Sequence, residues 1–186
     1  MLRKPETENL ICSMLIEMME TIPFYQIKVS HLVERAGIAR STFYFYFDSI
    51  YAVVQKIEDD FIAGMPETIP AGIANSTGFG AESHSNEIMA RVKYLKQNIR
   101  VFGALSGQNG DPAFQARLIN RGWRLMKTRF AVSADSIDIE KRLVIEYILA
   151  GQWNLFKFWA FHEKEISAED VCLLISKLVS QAFNLL

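Results

Sequence analysis

Between Lys28 and Phe47 the chain reads KVSHLVERAGIARSTFYFYF, and the polar residues of this stretch are the ones whose types and spacing could do chemistry. Arg40 can reach base edges or phosphates, Ser41 and Thr42 offer short hydrogen bonds, Tyr44 and Tyr46 carry hydroxyls that can hold phosphates, and Lys28 adds a further phosphate contact. Phe45 is a large apolar group on the same outer face and suits contact with a thymine methyl. Such groups along one short helix fit the major groove of DNA. Ser41 and Thr42 are equally suited to capping that helix. The sequence has no nucleophile elbow, zinc-protease motif or phosphate loop, and His31, His84 and His162 lack metal-ligand spacing. No catalysis, cofactor or metal is therefore expected.

Two helices and a turn have to hold these groups. Val29, Leu32, Val33 and Ala36 recur as one apolar face, Gly37 can end that helix in a left-handed conformation, and Ile38 can plug the turn. Phe43 and Phe47 then face the core. A first helix is predicted over about Pro5 to Met19, with Ile11, Met14, Leu15, Met18 and Met19 as its stripe. Asp48 is the expected N-cap of a fourth helix running to about Ala63, lined by Ile50, Val53, Val54, Ile57 and Phe61. By spacing alone, the stretch also fits any helical hairpin with a polar outer face.

The chain has 186 residues and half of them are hydrophobic, enough for one medium domain or two small ones. Twenty basic and 21 acidic residues give a net charge of -1, so any contact with nucleic acid must come from a local patch. Lys28, Arg35 and Arg40 against Glu34 form a thin one, to which Arg3 and Lys4 can add. Cys12 and Cys172 lie far apart in apolar helical patterns and read as buried thiols. The N-terminus MLRKPETENL lacks a secretory pattern, and no apolar run reaches the ~18 residues of a membrane span. A cytoplasmic protein with no membrane partner is expected.

Gly64 to Ser85, rich in glycine and proline, is the main loop and the expected internal boundary. Beyond it the periodicity predicts helices over about Asn86 to Leu105, from Asp111-Pro112 to Phe130, from Ile139 to His162, and from a Ser167 cap to the C-terminus. The third of these has almost no polar side, so it must be covered all round, by its own core or by a partner chain. No strand pattern appears. An all-α fold follows.

The segment from Ile11 to Ile57 resembles the DNA-binding domain of TetR/AcrR-family transcriptional regulators. The matching residues are Ile27-Lys28-Val29, Leu32-Val33, Ala36-Gly37-Ile38, Arg40-Ser41-Thr42-Phe43-Tyr44 and Tyr46-Phe47, between an amphipathic first helix and an apolar fourth. LKQNIRVFGALSGQNGDPAFQARL also looks like regulatory domains of one branch of that family. The sequence departs from the pattern at Lys28, where Thr is usual, at Ala39, where Ser is frequent, and at Ile50, where a phosphate-holding lysine often sits.

The resemblance implies an N-terminal helix-turn-helix DNA-binding domain over residues 1-48, joined by helix four (about 48-63) to a C-terminal ligand-binding and dimerisation domain over 64-186. It implies a homodimer on a near-palindromic, double-stranded DNA operator, acting as a repressor released by a small lipophilic effector. An activator of the same fold, or an all-helical interaction module with decayed DNA binding, stays open. Phe102, Phe114, Trp123, Met126, Phe130, Tyr147 and Trp153 are the candidates for an effector pocket. Leu149, Trp153, Phe156, Ala160, Leu174 and Leu178 are those for the dimer interface.

Overall fold

The computed structural model describes residues 4–66, 81–130 and 138–183. These form nine α-helices and one 3-10 turn: α1 (Lys4–Met19), the turn Phe24–Gln26, α2 (Val29–Ala36), α3 (Arg40–Tyr46), α4 (Ile50–Gly64), α5 (Ala81–Gln97), α6 (Ile99–Ser106), α7 (Ala113–Phe130), α8 (Ile139–Phe161) and α9 (Ala168–Phe183). The described residues contain no strand.

Two helix boundaries differ from the sequence reading. Ser49, not Asp48, caps α4: its Oγ accepts the Ala52 N–H at 3.1 Å, one turn in. The single helix expected over about Asn86 to Leu105 is two helices, and α5 already begins at Ala81. They part at Asn98, whose side-chain amide donates to the Tyr94 carbonyl at 2.9 Å and so competes with the helical ladder.

The helices group into two compact units, Met1–Gly64 with Arg100–Phe114, and Met65–Ile99 with Gln115–Leu186. The predicted boundary at residue 64 thus omits a return: α6 and the turn after it belong with the N-terminal helices. The reasons are local contacts. Phe61 stacks on Phe102 at 5.7 Å and meets Phe114 edge-on at 5.8 Å. The Asn109 side chain donates to the Met19 carbonyl at 3.0 Å, and the Phe24 N–H donates to the Asn109 carbonyl at 2.9 Å. Gly110 closes this turn, where a Cβ would fall 2.1 Å from the Leu105 carbonyl oxygen.

In the first unit α1 packs on α2 and α4, and α2 on α3. Ile11, Leu15, Leu32, Phe43, Val53 and Val54 are wholly buried there. In the second unit α5 packs on α9 and α8, and α8 on α9. Ile88, Val92, Leu95, Trp159 and Ile175 form the centre of that core. Ser167 caps α9 as expected, accepting the Asp170 N–H at 3.0 Å and donating to its carboxylate at 2.8 Å. No described helix is long and apolar enough to cross a membrane.

Candidate nucleic-acid interface and interior cavity

The turn between α2 and α3 is built on Gly37. It sits at φ 64, and its N–H and that of Ile38 reach back to carbonyls of the last turn of α2, with Ile38 N to Val33 O at 3.0 Å. This closing pattern needs a left-handed residue, which glycine adopts without a Cβ penalty. It turns the chain sharply and lets α3 start at Arg40. Phe43 and Phe47 then fix α3 from beneath, both buried, with rings 6.2 Å apart.

Helical spacing does the rest, because burying Phe43 turns its neighbours outward. Arg40, Ser41, Tyr44 and Phe45 are exposed, while Thr42 and Tyr46 are half-buried. Phe45 is 72% exposed, an unusual state for a phenylalanine with a core available. Its ring stands perpendicular to Tyr46 at 5.0 Å. The Arg40 guanidinium donates to the Tyr44 hydroxyl at 3.3 Å and lies 5.6 Å from the centre of that ring, so the two form one polar unit. Tyr44 in turn rests edge-on against Phe43 at 5.4 Å. The residue that caps α3 is Ala39, with no side-chain cap bond, so neither Ser41 nor Thr42 fills that role. Lys28 sits exposed at the N-cap of α2. Ile50 is buried, so the position where the resemblance would place a phosphate-holding lysine is a core contact.

The electrostatics of this unit are restrained. Arg35 pairs with Glu17 from α1. Lys56 lies 2.5 Å from Asp60 and 3.5 Å from Glu8, and the hydrogen bond to Asp60 is the main cause holding its ammonium above the usual lysine range. Arg100 pairs with Glu20 at 2.5 Å. Arg35, Lys56 and Arg100 thus each have a carboxylate partner within the unit, while Lys28 and Arg40 lie exposed at the starts of α2 and α3.

A cavity of about 110 Å³ lies wholly in the second unit, between α5, α7, α8 and α9. Met126, Leu149, Trp153 and Phe156 supply apolar wall; Glu87 and Arg91 from α5 and Arg121 from α7 add charge. Of the predicted pocket residues whose side chains are described, Met126 and Trp153 line it. Phe102 and Phe114 are buried in the first unit instead, held by Phe61. Trp123 is occupied otherwise, its indole N–H donating to Glu146 at 2.9 Å. Tyr147 is 68% exposed on α8, and the Phe130 side chain lies outside the described residues. Glu87, Arg91 and Arg121 were not singled out from the sequence, since charged residues at helical spacing read as solvated faces. Among the described residues no cluster of three or more metal-ligating side chains occurs.

The predicted dimer residues also divide. Leu149, Trp153 and Phe156 line the cavity and so face inward. Ala160 is half-buried, and Leu174 and Leu178 are exposed. The outward apolar residues of α8 are Ile139, Leu143, Tyr147, Phe158 and Phe161. They form one stripe that passes through Gly151, where a Cβ would meet nothing within 4 Å. Leu173, Leu174 and Leu178 are exposed on α9.

This fold, helices α1 to α3 with a helical second unit, is that of solved TetR-family transcriptional regulators. A TetR-like transcriptional regulator from Rhodococcus sp. RHA1 superposes with a TM-score of 0.65 over 99% of each chain at 14% identity. A TetR-family transcriptional regulator from Streptomyces coelicolor gives 0.62, covering 96% of this chain and 81% of its own, at 15% identity. The fatty acid degradation regulator FadR from Bacillus halodurans gives 0.59, covering 96% and 97%, at 14% identity. No protein-family model matches the sequence. Comparison with curated proteins gives no significant match.

Proposed function

We propose that the chain is a homodimeric DNA-binding transcriptional regulator of the TetR family, acting as a repressor that a small lipophilic effector releases from its operator. The observation that carries this reading is the α2–turn–α3 geometry. A buried Phe43 presents Arg40, Ser41, Tyr44 and Phe45 together on the exposed side of a helix short enough to enter a major groove. Arg40 reads a base edge or phosphate, Lys28 and the tyrosine hydroxyls hold phosphates, and Phe45 takes a thymine methyl.

Support for the dimer comes from the apolar stripe of α8 and the exposed leucines of α9, which a second copy would cover. Two reading heads related by a two-fold axis favour a near-palindromic site. Support for the effector comes from the cavity in the second unit. A ligand there lowers operator affinity only by binding the weaker-binding conformation better.

Selection of bound DNA from a random pool, followed by mobility shift with Arg40→Ala and Phe45→Ala, tests the reading. A palindromic consensus, lost or altered in both variants, is expected. Selection without any consensus, or wild-type binding in both variants, refutes the assignment of α3.

A further inference from the structure

Arg40 and Tyr44 share a geometry that bears on which base is read, on the reading that α3 is the helix that enters the major groove. We infer that Tyr44 is a positioning residue for Arg40, and that it sets the guanidinium to read one guanine in each half-site of the operator.

Tyr44 is seated from the core outward. Phe43 is wholly buried, and the Tyr44 ring stands edge-on to it at 5.4 Å. The ring therefore has a fixed base, although the residue is 46% exposed. Arg40 lies one turn earlier on the same side of α3. Its Nη2 donates to the Tyr44 hydroxyl at 3.3 Å, and its guanidinium carbon lies 5.6 Å from the ring centre. A hydrogen bond and a cation–π contact thus act together on a side chain that otherwise rotates freely in water.

The bond to Tyr44 takes one of about five guanidinium N–H donors, and the fork keeps two adjacent donors for a further planar edge. In helix-turn-helix proteins, side chains from the start of the recognition helix contact base edges, and Arg40 opens α3. Guanine presents two adjacent acceptors in the major groove, O6 and N7, which match that pair of donors. Adenine has the N6 donor where guanine has O6, and a donor there opposes a guanidinium. The Tyr44 hydroxyl is the acceptor toward Arg40, so its own hydrogen can still meet a phosphate. In the groove Arg40 lies within about a Debye length of the phosphates, so it releases counterions while it reads a base.

Positioning acts on preference as well as on affinity. An arginine that is not already held loses its rotamer freedom on pairing with guanine. That loss subtracts from its preference for guanine over adenine.

The test is fluorescence anisotropy of the full chain on the duplex selected from the random pool, and on copies in which each G·C pair is exchanged in turn for A·T in both half-sites. One exchange should cost the native chain at least about tenfold in affinity. Arg40→Ala should bind that exchanged duplex and its parent equally. Tyr44→Phe keeps the ring and should lower the guanine preference by at least about threefold, while adding it to Arg40→Ala should leave the preference as it is in Arg40→Ala. A consensus without guanine, or native guanine preference in Arg40→Ala, overturns the guanine assignment. Equal loss of affinity on both duplexes in Tyr44→Phe, or no loss on either, overturns the positioning role. Selection without any consensus is a different failure, and it refutes α3 as the reading helix.

Discussion

Salt should weaken operator binding less steeply than the cation content of the first unit suggests, because few of its described cations are available to phosphate. Arg35, Lys56 and Arg100 are each held by carboxylates of their own unit, and Lys28 and Arg40 remain beside α3. Among the described residues two cations per protomer make four in a dimer. Counterion release then gives a slope of log K against log salt of about −3.6. A fourfold rise in salt should therefore cost about 150-fold in affinity. The assay is fluorescence anisotropy on the selected operator over a salt series. Lys28→Ala should flatten the slope by about 1.8, because each protomer then neutralises one phosphate fewer, without changing the preferred sequence. Arg35→Ala should leave the slope unchanged, since Glu17 already holds that guanidinium. A wild-type slope of about −7 or steeper would refute the reasoning, as would a flatter slope in Arg35→Ala; either means that the paired cations are released to DNA.

Three other outcomes are expected. Phe102→Ala should destabilise the chain by about 3–5 kcal/mol in urea unfolding without weakening ligand binding, because the ring is buried against Phe61 in the first unit and lines no part of the cavity. Burial pushes the Cys12 thiol up from the ordinary 9.0 to about 11, so its thiolate should be scarce at neutral pH and its labelling slow until the chain unfolds. The stability linked to that shift is fully present below pH 9.0 and is lost as pH rises through about 11, which alkaline unfolding of Cys12→Ala against the parent would measure. Leu143→Glu with Phe158→Glu should give a folded monomer by light scattering, since both side chains are exposed on the α8 stripe; an unchanged dimer mass would move the interface elsewhere.

The α2–turn–α3 geometry was legible in the sequence because its determinants are local. Gly37 follows directly on the apolar face it terminates, and Phe43 and Phe47 lie four residues apart, so spacing alone says which groups turn outward. The same held for the Ser167 cap. The cap of α4 did not follow, because Asp48 and Ser49 are both good capping residues and only the path of the chain chooses between them.

The second unit shows where that kind of inference ends. α8 is apolar nearly all round, so its periodicity cannot tell the side that faces its own core from the side that a partner would cover. Packing against α5 and α9 decided it, turning Leu149, Trp153 and Phe156 to the cavity and Leu143, Tyr147 and Phe158 to the surface. Phe102 and Phe114 join the first unit by packing on Phe61, about forty residues or more away in sequence, which no local pattern encodes. Glu87 and Arg121 read as solvated charges until the fold enclosed them. The sequence by itself determined most of the helices and the exposed chemistry of α3, because side chains a few residues apart decide those. Which apolar face meets which neighbour, and which charges end up away from water, are long-range pairings, and the tertiary structure alone decided them.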